Sequence, residues 1–214
     1  MEQLTIEEIS VTKKGRYALF AQGQFLFSVD EETLVREKIK EGLSLSVARL
    51  EELRQTSETR KACDKALDYL SRRDHSSGEL YEKLCRRYDS QSSAAAVAKM
   101  QELDLVDDLA FARHRARYLM NQHKSRNQIL QALAQKGIDR QTAGMVLEEL
   151  WDQEENDPDR EALDHLIRRS YLQKLAQGKT QQVAAALCRR GFSPGLVRSL
   201  IQEYTNQESE YYEE

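Results

Sequence analysis

The amino-acid sequence predicts a mainly α-helical protein: three tandem three-helix repeats, helix-turn-helix-like, in an elongated array behind a small N-terminal β-hairpin or sheet segment. Three observations carry this. The apolar pattern alternates with period two over the first thirty residues and then takes a helical spacing that lasts to Tyr204. One helix pattern occurs three times, at offsets of 49 and 54 residues. Charged residues are 32% of the 214, above the usual ~25%, with only 2 Pro and 9 Gly. That mix suits helices with much surface per core residue, and it excludes collagen, Pro-rich linkers and turn-dense β-sandwiches.

The first segment, residues 1–56, opens with Leu4, Ile6, Ile9 and Val11. The turn signals Lys13-Lys14-Gly15 and Gln22-Gly23 then bracket Tyr17 and Leu19 and lead into Phe25, Phe27 and Val29. Alternating runs between glycine turns predict two or three antiparallel strands. Asp30 is placed to cap a helix carrying Leu34, Val35 and Ile39 with Gly42 as its stop, and Ser44 or Ser46 to start another short helix through Leu50 and Leu53.

The repeats follow over residues 57–107, 108–153 and 154–206. Their second helices align as Glu79–Arg87, Gln128–Lys136 and Gln182–Arg190, superposing Leu84, Leu133 and Leu187. Capping chemistry recurs with them. Ser76 and Glu79 form an S-x-x-E box and Ser125 and Gln128 an S-x-x-Q box, whereas the third copy has Lys179 at that place. Gly137-Ile138-Asp139 and Gly191-Phe192-Ser193 each give a C′ glycine, an apolar residue and an N-cap, with Pro194 suited to the first helical position. The first copy has Tyr88-Asp89 instead of glycine. First helices are expected to start near Lys61, Leu109 and Asp157-Pro158, and third helices carry Ala94, Val97, Met100 and Leu103, then Ala143, Val146, Leu147 and Leu150, then Val197, Leu200, Ile201 and Tyr204. Residues 207–214 read as a frayed acidic tail.

Three cysteines without a C-x-x-C pair read as reduced thiols of a cytoplasmic protein, and Cys85, Ala134 and Cys188 share one repeat position, read as a small buried slot. The longest apolar run, Val183–Cys188, falls far short of the ~20 residues a membrane span needs. The start Met1–Thr5 lacks the basic and apolar regions of a secretory signal. Net charge is −4, with the acidity at the two ends: residues 61–150 carry 15 bases against 13 acids.

Two stretches resemble a known family. Ala66–Leu80 (ALDYLSRRDHSSGEL) is similar to the opening repeat of the RecX regulatory family, and Leu105–Ala112 (LVDDLAFA) resembles its link into the second repeat. The run Leu133–Ile138 is similar to the close of that repeat's second helix. The resemblance spans roughly residues 61–204, and Tyr88, where glycine often stands, departs from it. It implies a non-enzymatic modulator of the RecA recombinase that binds RecA and its filament on single-stranded DNA. It further implies limited filament growth, ATP hydrolysis and strand exchange in recombination, repair and the SOS response. It brings no catalytic residue and no cofactor.

The residues themselves point to a basic contact surface. Arg72-Arg73 and Arg168-Arg169 lie toward the ends of first helices, and Arg86-Arg87, Lys136 and Arg189-Arg190 close second helices. Arg113, Arg115 and Arg117 stud the first helix of copy two, and Lys124 and Arg126 flank its cap. Cations at helix C-termini also complement the macrodipole and cover apolar surface with their stems. Recurrence at one repeat position suggests a stripe suited to a phosphate backbone or an acidic protein groove. Tyr69, Tyr81, Tyr118 and Tyr171 are candidates for base stacking; Phe111 and Trp151 read as core. His75, His114, His123 and His165 lack metal spacing and read as surface or capping residues. Asp104, Asp107 and Asp108 read as a helix start rather than a Mg²⁺ site. Third helices carrying Glu148 and Glu149 are poor groove readers. The expected partners are RecA, its filament and DNA directly, met by a monomer with no membrane contact. The alternatives are a stand-alone helical-repeat protein binding single-stranded nucleic acid and, behind it, a metal-dependent nuclease.

Overall fold

The computed structural model describes residues 3–211, which form two compact units, one of residues 3–75 and 80–106, the other of residues 76–79 and 107–211. The first unit opens with short strands. β2 (Glu8–Val11), β3 (Tyr17–Ala21) and β4 (Gln24–Val29) make an antiparallel meander. Gln22 and Gly23, both at positive φ (51° and 68°), form its two-residue turn, as the sequence signal requires. β1 (Gln3–Thr5) pairs separately with β5 (Ser44–Ser46). Ser44 is therefore strand, and Ser46 alone caps the next helix, accepting from the Arg49 N–H. Helix α1 (Glu31–Arg36) starts on Asp30 as expected but stops six residues before Gly42, because Lys38 turns left-handed at φ 52°. Ile39 then leaves the helix and joins Ile6, Leu19, Phe27, Val29, Leu50 and Leu53 in the core of this segment.

Helix α2 (Val47–Leu70) crosses the boundary expected at residues 56/57. The hydroxyls at that boundary are satisfied within the continuous helix. Thr56 Oγ1 donates to the Glu52 carbonyl one turn back, and Ser57 Oγ donates across to Ser28 O of β4 at 2.5 Å. Arg16 adds a bond to Ser57 Oγ at 2.7 Å. The helix thus serves both the strand segment and repeat one.

The second and third helices of repeat one are α3 (Ser77–Cys85) and α4 (Ser90–Glu102). Repeat two has α5 (Asp108–Met120), α6 (Arg126–Ala134) and α7 (Arg140–Asp152). Repeat three has α8 (Pro158–Ser170), the short α9 (Leu172–Ala176), α10 (Thr180–Arg189) and α11 (Pro194–Tyr211). Asp89, Asp107, Asp139 and Asp157 cap α4, α5, α7 and α8 by accepting first-turn N–H groups. Each repeat closes its own core around an aligned, fully buried leucine of its second helix: Leu84, Leu133 and Leu187.

Three expectations are corrected here. The cysteine position is not a buried slot: Cys85 and Ala134 are exposed and Cys188 half-buried, because one residue past the buried leucine turns ~100° away from the core. Helix α11 continues through residues 208–211 of the expected frayed tail; the remainder of that tail lies outside the described residues. His75 is buried, at 3% exposure, with its ring edge-on to Tyr69. Among the described residues no helix is long and apolar enough to cross a membrane.

Candidate functional site

The second unit contains one joint built twice. Ser125 caps α6 with a reciprocal capping box: Gln128 N–H donates to Ser125 Oγ, and Ser125 N–H to Gln128 Oε1. The same hydroxyl donates its own proton to the Arg190 carbonyl at the end of α10, at 2.8 Å. The next residue, Arg126, gives its N–H to Asp159 of α8 at 2.7 Å, and Asn127 donates to Gly191 O at 2.8 Å. Forty-nine residues earlier the pattern repeats. Ser76 Oγ accepts from Glu79 N–H and donates to the Lys136 carbonyl at the end of α6. Ser77 gives its N–H to Asp108 of α5 at 2.7 Å. Both serines are fully buried.

Glycine closes each joint. A Cβ on Gly78 would stand 2.7 Å from Gly137 Cα, and the converse distance is the same, so two backbones meet where no side chain fits. Gly191, at φ 88°, leaves only 2.7 Å between such a Cβ and Ser125 Oγ. Gly137 and Gly191 were legible as helix stops; their second use, making room for the neighbouring repeat, was not. α10 lacks the cap: Lys179 precedes it with no side-chain bond to its first turn.

The joint explains part of the basic repeat position. Arg87, Lys136 and Arg190 each bond their backbone N–H to the carbonyl of the buried leucine three residues earlier. Lys136 and Arg190 also offer their carbonyls to the serines. The side chains then differ. Lys136 is held by Glu79 at 2.9 Å, whereas Arg87 and Arg190 have no ion-pair partner among the described residues.

The other candidate bases sort the same way. Arg72 pairs with Asp68, Arg113 with Glu149 and Arg168 with Asp164, at 2.8, 2.8 and 2.7 Å. Arg73 donates to the Asp74 carbonyl, and Arg117 reaches Gln153 at 3.4 Å. Arg115 lies 5.3 Å from the Tyr118 ring and Arg126 5.5 Å from the Trp151 ring. Arg86, Arg87, Lys124, Arg169, Arg189 and Arg190 have no ion-pair partner among the described residues. Three of these, Lys124, Arg169 and Arg190, share a cleft of about 290 Å³ in the second unit. His123 and His165 join them there with rings stacked 3.8 Å apart at 18°.

Several candidates have structural work. Tyr171 is buried in the core of repeat three, and Tyr69 lies between the Lys65 and Lys83 ammonium groups at 4.7 and 5.2 Å. Phe111 and Trp151 pack half-buried on the core of repeat two, as expected, and Tyr118 stays exposed. Asp107 and Asp108 are engaged in capping α5 and in the joint. Sequence reasoning missed the histidine pair. Its members lie 42 residues apart, and only His123 next to Lys124 hinted at a titratable group in a basic turn.

Comparison with known proteins agrees with this layout. A family model described as the first three-helix domain of RecX matches residues 62–100, and one described as the second matches residues 107–147. The chain is 28% identical over 210 residues to the regulatory protein RecX of Listeria monocytogenes serotype 4a, covering 95% of this chain and 77% of that protein. A crystal structure of a regulatory protein RecX superposes with a TM-score of 0.66 at 24% identity, over 94% of this chain and 99% of the other. The crystal structure of RecX from Lactobacillus salivarius gives 0.55 at 26% identity, over 70% and 97%. With both RecX three-helix domains matched in tandem, at the positions where the fold repeats its helices and joints, the chain belongs to the RecX family of regulatory proteins.

Proposed function

We propose that the chain binds RecA and its filament on single-stranded DNA and restrains filament growth, ATP hydrolysis and strand exchange, acting without catalysis of its own. Family membership supports a regulatory role. The observation that carries the finer reading is the division of the bases. Where a surface cation has a carboxylate within reach, its charge is spent locally; Arg86, Arg87, Arg189 and Arg190, at the ends of α3 and α10, keep theirs available for an anionic partner.

The test is RecA's DNA-dependent ATPase as the protein is titrated in, with DNA-free and RecA-free controls. Substoichiometric inhibition is the expected result. Charge reversal at Arg86, Arg87, Arg189 and Arg190 is expected to abolish it while helical circular dichroism is kept. No effect on RecA, with salt-sensitive DNA binding intact, would favour a stand-alone binder of single-stranded nucleic acid.

A further inference from the structure

The histidine cleft shares Arg190 with that reading, but its chemistry is distinct. His123 sits left-handed (φ 54°) in the α5–α6 turn, beside Lys124; His165 and Arg169 project from α8, and Arg190 closes α10. Gln128 adds an amide to the wall. Three permanent cations therefore converge on about 290 Å³ without an ion-pair partner among the described residues. The facing acid is Glu161 of α8, whose charge favours the protonated form of His123. Burial and the neighbouring His165 outweigh it and hold His123 below the usual histidine range.

The His165 ring, stacked at 3.8 Å, opposes protonation of His123. An oxyanion seated among Lys124, Arg169 and Arg190 reverses the balance. It accepts charge-assisted hydrogen bonds from the cations and stabilises added positive charge on the rings. Uptake of a proton and of the anion are then linked, each favouring the other.

We infer that the cleft formed by His123, Lys124, His165, Arg169 and Arg190 is a phosphate-group site whose occupancy rises as His123 takes up a proton. The ligand chemistry is a tetrahedral oxyanion, supplied by free phosphate or by the phosphodiester of a nucleic acid. RecA is not required for the site to bind, so its failure and the failure of the regulatory reading are separable.

The experiment is a histidine-ring NMR titration of the full chain between pH 5.5 and 7.5, with two probes. One is sulfate, a stand-in for free phosphate whose charge is fixed over this range. The other is a short single-stranded oligothymidylate. The expected result is a saturable shift of the His123 and His165 signals with His114, exposed on α5, unmoved. Affinity tightens as pH falls, by up to about tenfold per unit for one coupled proton. Arg169→Ala and Lys124→Ala each weaken it by about tenfold or more, the size of one charged hydrogen bond. Whichever probe saturates the pair identifies the source. Three results overturn the inference: neither probe saturates the pair, His114 shifts alongside, or the affinity is flat with pH.

Discussion

Helices α6 and α10 hold the same place in consecutive repeats, and their first turns are built differently. α6 begins on Ser125, which caps its own helix and bonds the Arg190 carbonyl of the next repeat with one hydroxyl. α10 begins on Lys179, with no side-chain cap. Their cores are alike, each closed on a buried leucine. The difference shows that repeat identity and repeat joining are separate properties. Burial of Leu133 or Leu187 makes a three-helix core; the serine, the glycine and the aspartate fasten it to the next.

The sharpest break of this comparison is at Gly137. Gly137→Ala is expected to cost about 2–5 kcal/mol, from the left-handed backbone (~1–2) and the overpacking against Gly78 (~1–3). A drop in the urea midpoint of the second unit measures it. Gly78→Ala is the more discriminating change. Helix propensity alone would make it stabilising by ~1 kcal/mol, so a net loss identifies the close approach.

Next in size is Ser125→Ala, about 1–3 kcal/mol. It removes a cap and leaves the Arg190 carbonyl without its donor. Ser76→Ala is expected to match it; a loss at one serine only would show the two joints to be unequal. Lys179→Ser should gain up to about 1 kcal/mol by giving α10 the cap it lacks. No gain would mean that the serine matters for joining rather than for capping.

The smallest effect is in pH. Bonds from the Ser92 backbone N–H and hydroxyl hold the Asp89 carboxyl below its ordinary value. Its contribution is therefore present above the unfolded pKa, near ~4, and is lost as pH falls through the lowered one. Asp159 in the joint is opposite in sign. Burial raises its pKa despite the Arg126 N–H, so the protonated form is favoured by folding and its contribution weakens as pH rises. Acid titration of Asp89→Asn and Asp159→Asn should shift stability in opposite directions.

Much of this architecture was legible because the signals are local. The caps Ser125, Asp139 and Asp157 and the Gln22-Gly23 turn each act within four residues of themselves, and the offsets of 49 and 54 show these local patterns recurring. What escaped depends on distant groups. Helix α2 runs past Thr56 and Ser57 because Ser28 of β4 accepts the Ser57 hydroxyl. Ser44 became strand because Thr5 lies opposite it. The cysteine slot was inferred from shared residue size, which does not fix a face. At the candidate site the bases were readable one by one. Which have partners was not, since Arg113–Glu149 and Lys136–Glu79 join residues 36 and 57 positions apart.

Trp151 gives this fold a built-in optical asymmetry. It is the single tryptophan of the chain, half-buried on the core of repeat two and 5.5 Å from the Arg126 guanidinium, whose own backbone N–H is the donor to Asp159. Its emission is therefore a gauge placed within the second unit, tuned to that unit's own unfolding. Circular dichroism, summing every helix, has no such bias. Followed together through one denaturation, the two signals separate the stabilities of the units without a label or a cut in the chain.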